Sequence, residues 1–385
     1  MRNYTIFVFM LISAISGLAF AESSHYAIIV DAGSSGSRLH IFEYNNTAKR
    51  VPVIKDIFSE ATKPGLSSFA EHPEDASSAL KKLLDDATQA LQQQQINPHA
   101  VTINILATAG MRLLPEDKQT AIYTNVINYL KNNYAFIIGE VTTINGKTEG
   151  LYGWLDINYL LGNFATHQAT MGSLDMGGAS TQIAFATEDN IKPEDRLFVT
   201  IANQHYQVFS KSFLGLGQDQ ARDSMLNHVA ANSCYPRNYF FKETEVGDFV
   251  LESCQAAYTQ LIQDKQVSSQ LESTHGQSFV AYSGIYYSYN FFNVEKTPDA
   301  TSFESRLRTV CNKTWQELQQ EYPQIPEKYL ATYCANGVYF DELLYYTYGL
   351  DGSRLIVTNK INDREIDWTM GAMLYRVSNS DVRGY

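Results

Sequence analysis

Two short turns rich in small residues each open on an aspartate. They are Asp31-Ala32-Gly33-Ser34-Ser35-Gly36-Ser37-Arg38 and Asp175-Met176-Gly177-Gly178-Ala179-Ser180-Thr181-Gln182. Each follows an apolar run and leads into a second strand-like stretch. A strand, a tight glycine/serine turn and a returning strand expose backbone N–H groups that can face an anion. An aspartate at the strand end can hold a divalent cation, directly or through water. Two such loops facing each other would grip a polyphosphate from both sides, which predicts phosphoryl-transfer chemistry. Asp31 and Asp175 closing on one point would repel each other without a cation between them.

Other nucleotide signatures are missing. No G-x-x-x-x-G-K-[ST] string occurs. Gly215-Leu216-Gly217 lacks the third glycine of a dinucleotide loop and reads as plain loop. A single aspartate–glycine–serine string is ordinary turn chemistry; two copies, each between β-like segments, are not. The eight histidines are scattered and suggest no serine–histidine or cysteine–histidine relay. His40, on the outgoing strand of the first turn, reads as a packed or surface residue.

The elements that must carry these turns follow from periodicity. Residues 26–30 and 39–44 read as a hairpin. Residues 74–95, with Leu80, Leu83, Leu84, Ala87 and Leu91, have helical apolar spacing and stop before Pro98. Residues 101–107 form a near-continuous apolar strand of the buried kind, and 118–132 read as a helix. The second turn opens another strand- and helix-rich unit that runs to about Leu355.

A net charge of −12 argues against nucleic acid or an anionic membrane as partner. Hydrophobic residues make up 44% and charged residues 18%, an ordinary globular balance. The N-terminus reads as an export leader: Arg2, an apolar stretch over 4–18, and Ala19-Phe20-Ala21 before Glu22. Cleavage after residue 21 leaves about 360 residues, too long for one core and suited to two domains. No other segment is apolar enough to span a membrane, so the expectation is an exported protein, periplasmic or secreted, without a stable membrane anchor and monomeric. Cys234, Cys254, Cys311 and Cys334 are an even set, which in an exported chain favours two disulfides. Three pairings are possible; the shortest loops favour Cys234–Cys254 with Cys311–Cys334. A zinc site lacks C-x-x-C spacing or a nearby histidine pair.

The double loop resembles the actin/hexokinase/Hsp70 superfamily. Five ordered segments narrow this to the nucleoside triphosphate diphosphohydrolases, the ecto-apyrase family. They are DAGSSGSRLHIF at 31–42, LATAGMRLLP at 106–115, KTEGLYGWLDINYLLG at 147–162, GSLDMGGASTQIAF at 172–185 and DWTMGAML at 367–374. Similarity extends to KSFLGLGQDQAR at 211–222 and YSGIYYSYNFF at 282–292, so it spans nearly the whole mature chain. The resemblance implies an α/β fold of two RNase H-like (actin-like ATPase) domains with a nucleotide-binding cleft between them. The first domain would hold 22–146 and 357–385, where 368–376 return as a helix; the second would hold 147–356.

It also implies roles. Glu149, in Glu149-Gly150-Leu151-Tyr152-Gly153-Trp154, would be the base that activates water, from a loop beside glycines. Thr148 stands where many relatives have a second glutamate. Ser180 and Gln182 would hold the attacking water. Ser34, Ser35, Gly36, Gly177, Gly178 and Ala179 would face phosphate oxygens, mainly through backbone amides. Animal relatives often carry histidine in place of Gly36, so that contact is absent here. Asp31 and Asp175 would hold Mg²⁺ or Ca²⁺ largely through water, with Thr108 and Trp368 against the hydration shell; Trp368 reads equally well as a core residue. The tyrosine-dense runs 286–289 and 345–348 suggest a base stacked between rings, with Tyr287 and Tyr348 as the pair. The substrates would be nucleoside tri- and diphosphates (ATP, ADP, GTP or UTP). An actin-like kinase is the competing enzyme class, and a non-catalytic nucleotide-binding module the competing non-enzyme.

Overall fold

In the computed structural model, which describes residues 24–45, 50–274, 276–297 and 299–379, the first apolar run forms β1 (His25–Ala32). The expected leader lies outside the described residues. The chain turns at 33–36 into β2 (Ser37–Tyr44), with Asp31 opposite Arg38, and β3 (Ile54–Thr62) extends the meander. β4 (Thr102–Ala107) and β5 (Ile137–Thr143) add in parallel, giving the order β3-β2-β1-β4-β5. β4 lies between two parallel neighbours, and its residues from Ile103 to Ala107 are buried, as a two-sided strand demands.

Helix α1 (Ser78–Gln93) buries the expected face, Leu80, Leu83, Leu84, Ala87 and Leu91. It starts later than the spacing implied because Pro73–Asp75 form a separate 3₁₀ turn. Helices α2 (Ala109–Arg112) and α3 (Glu116–Asn133) follow β4.

A second sheet repeats the opening hairpin. β6 (Gly172–Met176) and β7 (Ser180–Ala186) pair antiparallel, with Asp175 opposite Gln182. β8 (Arg196–Ile201), β9 (Gln204–Leu214), β10 (Phe279–Ala281) and β11 (Leu355–Val357) complete the order β11-β10-β6-β7-β9-β8.

Helix α4 (Gly146–Leu161) precedes this sheet, and α5 (Asn163–Thr166) caps its end. The later helices are α6 (Gln218–Met225), α7 (Leu251–Asp264), α8 (Gly284–Phe292), α9 (Ala300–Cys311), α10 (Trp315–Glu321), α11 (Glu327–Leu330) and α12 (Tyr333–Asp341). α12 runs into a π-helical turn at Glu342–Thr347. A small hairpin, β12 (Lys360–Ile361) and β13 (Arg364–Glu365), leads to α13 (Trp368–Ser378). Both disulfides, Cys234–Cys254 and Cys311–Cys334, form as expected and lie in the second half. Among the described residues no helix is long and apolar enough to cross a membrane.

The feature that matters most for a site is the α4–α13 pair. These helices share one core with both sheets: Ile29, Phe42 and Leu106 from the first, Ala184, Val199 and Val208 from the second, with Trp154, Leu155, Met373 and Leu374 between. Contact is so close that a Cβ on Gly371 would lie 1.8 Å from the Tyr152 carbonyl oxygen. Only glycine permits that approach, and it fixes α4 along its length.

Candidate active site

Both hairpin tips open into one cleft of about 340 Å³, lined by Asp31, Ser34, Ser35, Gly36, Thr108, Glu149, Asp175, Gly177, Gly178, Ala179, Ser180, Tyr287 and Trp368 among others. The two loops face each other closely: a Cβ on Gly178 would stand 2.9 Å from Ser34 Oγ. Gly36 is required by crowding of another kind, since a Cβ there would meet the Thr62 carbonyl at 2.5 Å. In the second loop the Gly177 N–H closes the turn onto Ser180 O (3.0 Å), so that amide is already committed. Gly178 and Ala179 are left as the amides that can turn to a ligand.

Glu149 does not sit on a loop, as the flanking glycines suggested. It lies in the first turn of α4, because Asn145 caps that helix by accepting from the Thr148 N–H at 2.8 Å. Nor does it reach the surface, being 7% exposed. Its Oε2 accepts from Arg112 at 2.5 Å and from Gln182 Nε2 at 3.2 Å. Gln182 Nε2 also reaches Ser180 Oγ (2.7 Å) and Ser212 Oγ (3.0 Å), and Arg112 reaches Ser180 Oγ at 3.1 Å. Gln182 itself stands behind Glu149 and Ser180 rather than in the cleft lining.

The electrostatics place the Glu149 carboxyl where it can exchange a proton near neutrality. Burial, and to a lesser degree the charge of Asp175, push Glu149 up to about 7 against the pull of Arg112. Burial likewise raises Asp175 to about 6, partly offset by a hydrogen bond from Ser283. Ser283 holds a left-handed φ of 55°, a strained backbone at the cleft wall. Asp31 is raised well above the usual carboxylate range by burial and by Asp367, Glu149 and Asp175.

Asp367 behaves in the opposite way. Burial alone would raise it, but His40 and Arg38 hold it well below the normal range. Arg38 reaches Asp367 at 3.0 Å and His40 Nε2 lies 3.3 Å away, while His40 Nδ1 is held by Asp56 at 2.7 Å. Asp367 also caps α13 by accepting from the Thr369 N–H (2.9 Å), which sets Trp368 at the cleft. Trp368 stacks on Tyr152 at 6.1 Å and is 5% exposed, so it is a packed residue with one edge on the cleft.

Asp31 and Asp175 are the residues at the cleft that could hold a divalent cation. Among the described residues no three acidic, histidine or cysteine side chains gather closely enough to ligate an ion directly. Yet Asp31 Oδ1 is buried without a hydrogen-bond partner, and burial raises both Asp31 and Asp175 above the usual carboxylate range. A hydrated cation held by Asp31 and Asp175, with Thr108 and Trp368 alongside, would answer both observations.

One expectation is corrected. Tyr348 is not at the cleft: it is 4% exposed in the core of the second half, beside Leu343, Leu344 and Leu350. The π-helical turn, closed by the Tyr348 N–H on Leu343 O at 2.9 Å, shifts the register that simple helical spacing would give. Tyr287 is on α8 at the cleft and 55% exposed. Sequence reasoning missed Arg112, Asp367 and Arg38 as site residues. All three lie inside the quoted motifs, but a motif does not say which of its charged members turns inward.

Paired glycine-rich hairpins on two sheets, with a buried carboxylate at their junction, define an actin-like ATPase fold. The chain belongs to the GDA1/CD39 (nucleoside phosphatase) family, whose pattern matches residues 18–383. It is 30% identical to "Probable apyrase 3" of Arabidopsis thaliana, covering 93% of this chain and 84% of that protein. It is 29% identical to "Ectonucleoside triphosphate diphosphohydrolase 5" of Mus musculus, covering 99% and 94%. The crystal structure of nucleoside triphosphate hydrolases from Neospora caninum superposes with a TM-score of 0.66 at 15% identity, covering 93% of each chain.

Proposed function

We propose that the chain is an exported apyrase-type hydrolase that releases terminal orthophosphate from nucleoside tri- and diphosphates. The observation that carries this reading is Glu149: buried, poised near neutral pH and held by Arg112 and Gln182 where the two loops meet. Water oriented by Ser180, with Gln182 behind holding Ser180 and Glu149 in place, gives a proton to Glu149 as its oxygen attacks the terminal phosphorus. The anhydride P–O bond breaks, and its bridging oxygen leaves with the shortened nucleotide. Ser34, Ser35, Gly36, Gly178 and Ala179 position the phosphate chain. Mg²⁺ or Ca²⁺ held by Asp31 and Asp175 through water would neutralise phosphate charge. Tyr287 offers one flat face to the base, a contact that tolerates any nucleobase. The working unit divides at 146/147 and 356/357, so that the cleft lies between two domains.

Phosphate release from ATP, ADP, GTP and UTP with Mg²⁺ or Ca²⁺, run beside Glu149→Gln, tests the reading. The variant should lose about 10²–10⁴ in rate. Activity within a few-fold of the parent would remove Glu149 from the mechanism. Transfer of phosphate to an acceptor other than water would favour the kinase class instead.

A further inference from the structure

Among the described residues that line the cleft, two carry a fixed positive charge, Arg38 and Lys63. Five are acidic: Asp31, Glu149, Asp175, Glu365 and Asp367. Such a cleft repels a polyphosphate unless cationic groups are free to meet it. Arg38 is already committed to Asp367 at 3.0 Å. Lys63 is not: no carboxylate among the described residues lies within ion-pair distance of it.

Its position is specific. Lys63 directly follows β3, whose last residue, Thr62, pairs with Ser37 at the end of the first phosphate loop. Its stem lies against that loop, with Cγ 3.2 Å from where a Gly36 Cβ would stand. From there the ammonium donates 3.0 Å to the hydroxyl of Tyr329, on α11 in the second half of the chain. The proximity of Lys63 and Lys328 lowers the Tyr329 phenol below its ordinary range, Lys63 having the larger influence. A neutral phenol is a weak partner for an ammonium compared with a phosphate oxygen.

We infer that Lys63 is a specificity-determining residue that reads the charge of the substrate's phosphate chain, and that Tyr329 holds it in reserve until substrate arrives. The inference rests on the hydrolase reading and names a residue that the mechanism above does not use. On binding, the ammonium exchanges the phenol oxygen for a phosphate oxygen beside the first loop, and the strap between β3 and α11 opens. A triphosphate, carrying more charge than a diphosphate, gains more from the exchange.

The test uses the full chain with Lys63→Gln, Tyr329→Phe and the double variant. KM and kcat are measured for ATP and ADP at saturating Mg²⁺. Lys63→Gln should raise KM for ATP about ten-fold or more, with a smaller rise for ADP and kcat changed less than about three-fold. Tyr329→Phe should act in the opposite direction and lower KM, because the competing acceptor is gone. In the double variant the Tyr329 effect should vanish. Equal losses from both single variants would mean a merely structural strap and would overturn the inference, as would a Lys63→Gln KM within two-fold of the parent for both nucleotides. Calorimetric titration of Mg·ATP into Glu149→Gln with and without Lys63→Gln reads the contact without turnover. A ten-fold weaker Kd supports it even if the hydrolytic step is misassigned, and an unchanged Kd sinks it while leaving hydrolysis standing.

Discussion

Replacing Arg112 by glutamine should move the pH dependence of catalysis, because its guanidinium is the main group restraining the Glu149 pKa. The contact is 2.5 Å, and the two side chains are 14% and 8% exposed, so solvent screens it little. An opposite charge at such range typically shifts a carboxylate by about 1–3 pH units. Glu149 lies near 7 with Arg112 in place; without it the value should rise to about 8 or above. A base must be deprotonated to accept a proton, so activity rises with pH through this value. At pH 7 the ionised fraction would drop from about one half to about one tenth or less, a rate loss of about five-fold or more that high pH restores. The assay is kcat/KM for phosphate release between pH 5.5 and 9.5 at saturating Mg²⁺, beside Arg112→Lys, which keeps the charge but loses the fork. The glutamine variant should show its ascending limb displaced upward, and the lysine variant should stay near the parent. A limb that does not move, with a plateau uniformly lowered, would place Arg112 on the substrate rather than on Glu149 and refute the reasoning.

Stability should respond to the same buried acids. Glu149 and Asp175 are raised to about 7 and about 6, so between about pH 4.5 and 7 the folded chain binds protons that the unfolded chain has released. Their contribution is present below that window and lost as pH rises through it. In EDTA the Tm should therefore be higher at pH 5.5 than at 7.5, and Ca²⁺ or Mg²⁺ should restore most of the difference at 7.5; thermal shift measurements at both pH values check this. Gly371→Val should force α4 from α13 at the 1.8 Å approach, costing about 1–3 kcal/mol or more in urea unfolding and lowering kcat by displacing Glu149. Tyr287→Ala should raise KM for any nucleotide about ten-fold through lost stacking, whereas Tyr348→Phe should leave KM unchanged and register only in the unfolding midpoint.

Much of this protein is legible in its amino-acid order alone. The two aspartate-led turns can be read there because turn chemistry is local: small residues between apolar runs can do little else, and β1–β2 and β6–β7 are hairpins as expected. The buried face of α1 can be read because 3.6-residue spacing is a property of the chain itself. The short disulfide loops can be read because nearby cysteines meet at least entropic cost.

Other features depend on partners far along the chain. Arg112 and Glu149 are separated by 37 residues, and Arg38 and Asp367 by 329; no local pattern states that these charges meet. Glu149 resembles a loop residue because glycines flank it, yet the Asn145 cap and packing against α13 make that stretch helical and bury it. Tyr348 stands in a tyrosine-dense run where the family resemblance implies a base-stacking ring, but a π turn sets it in the core and leaves Tyr346 58% exposed. Sequence determined which residues could turn, cap and alternate, because those choices are made within a few bonds. Tertiary structure alone decided which carboxylates lost their water and which cations answered them, because burial and pairing are set by how two sheets close on one pair of helices.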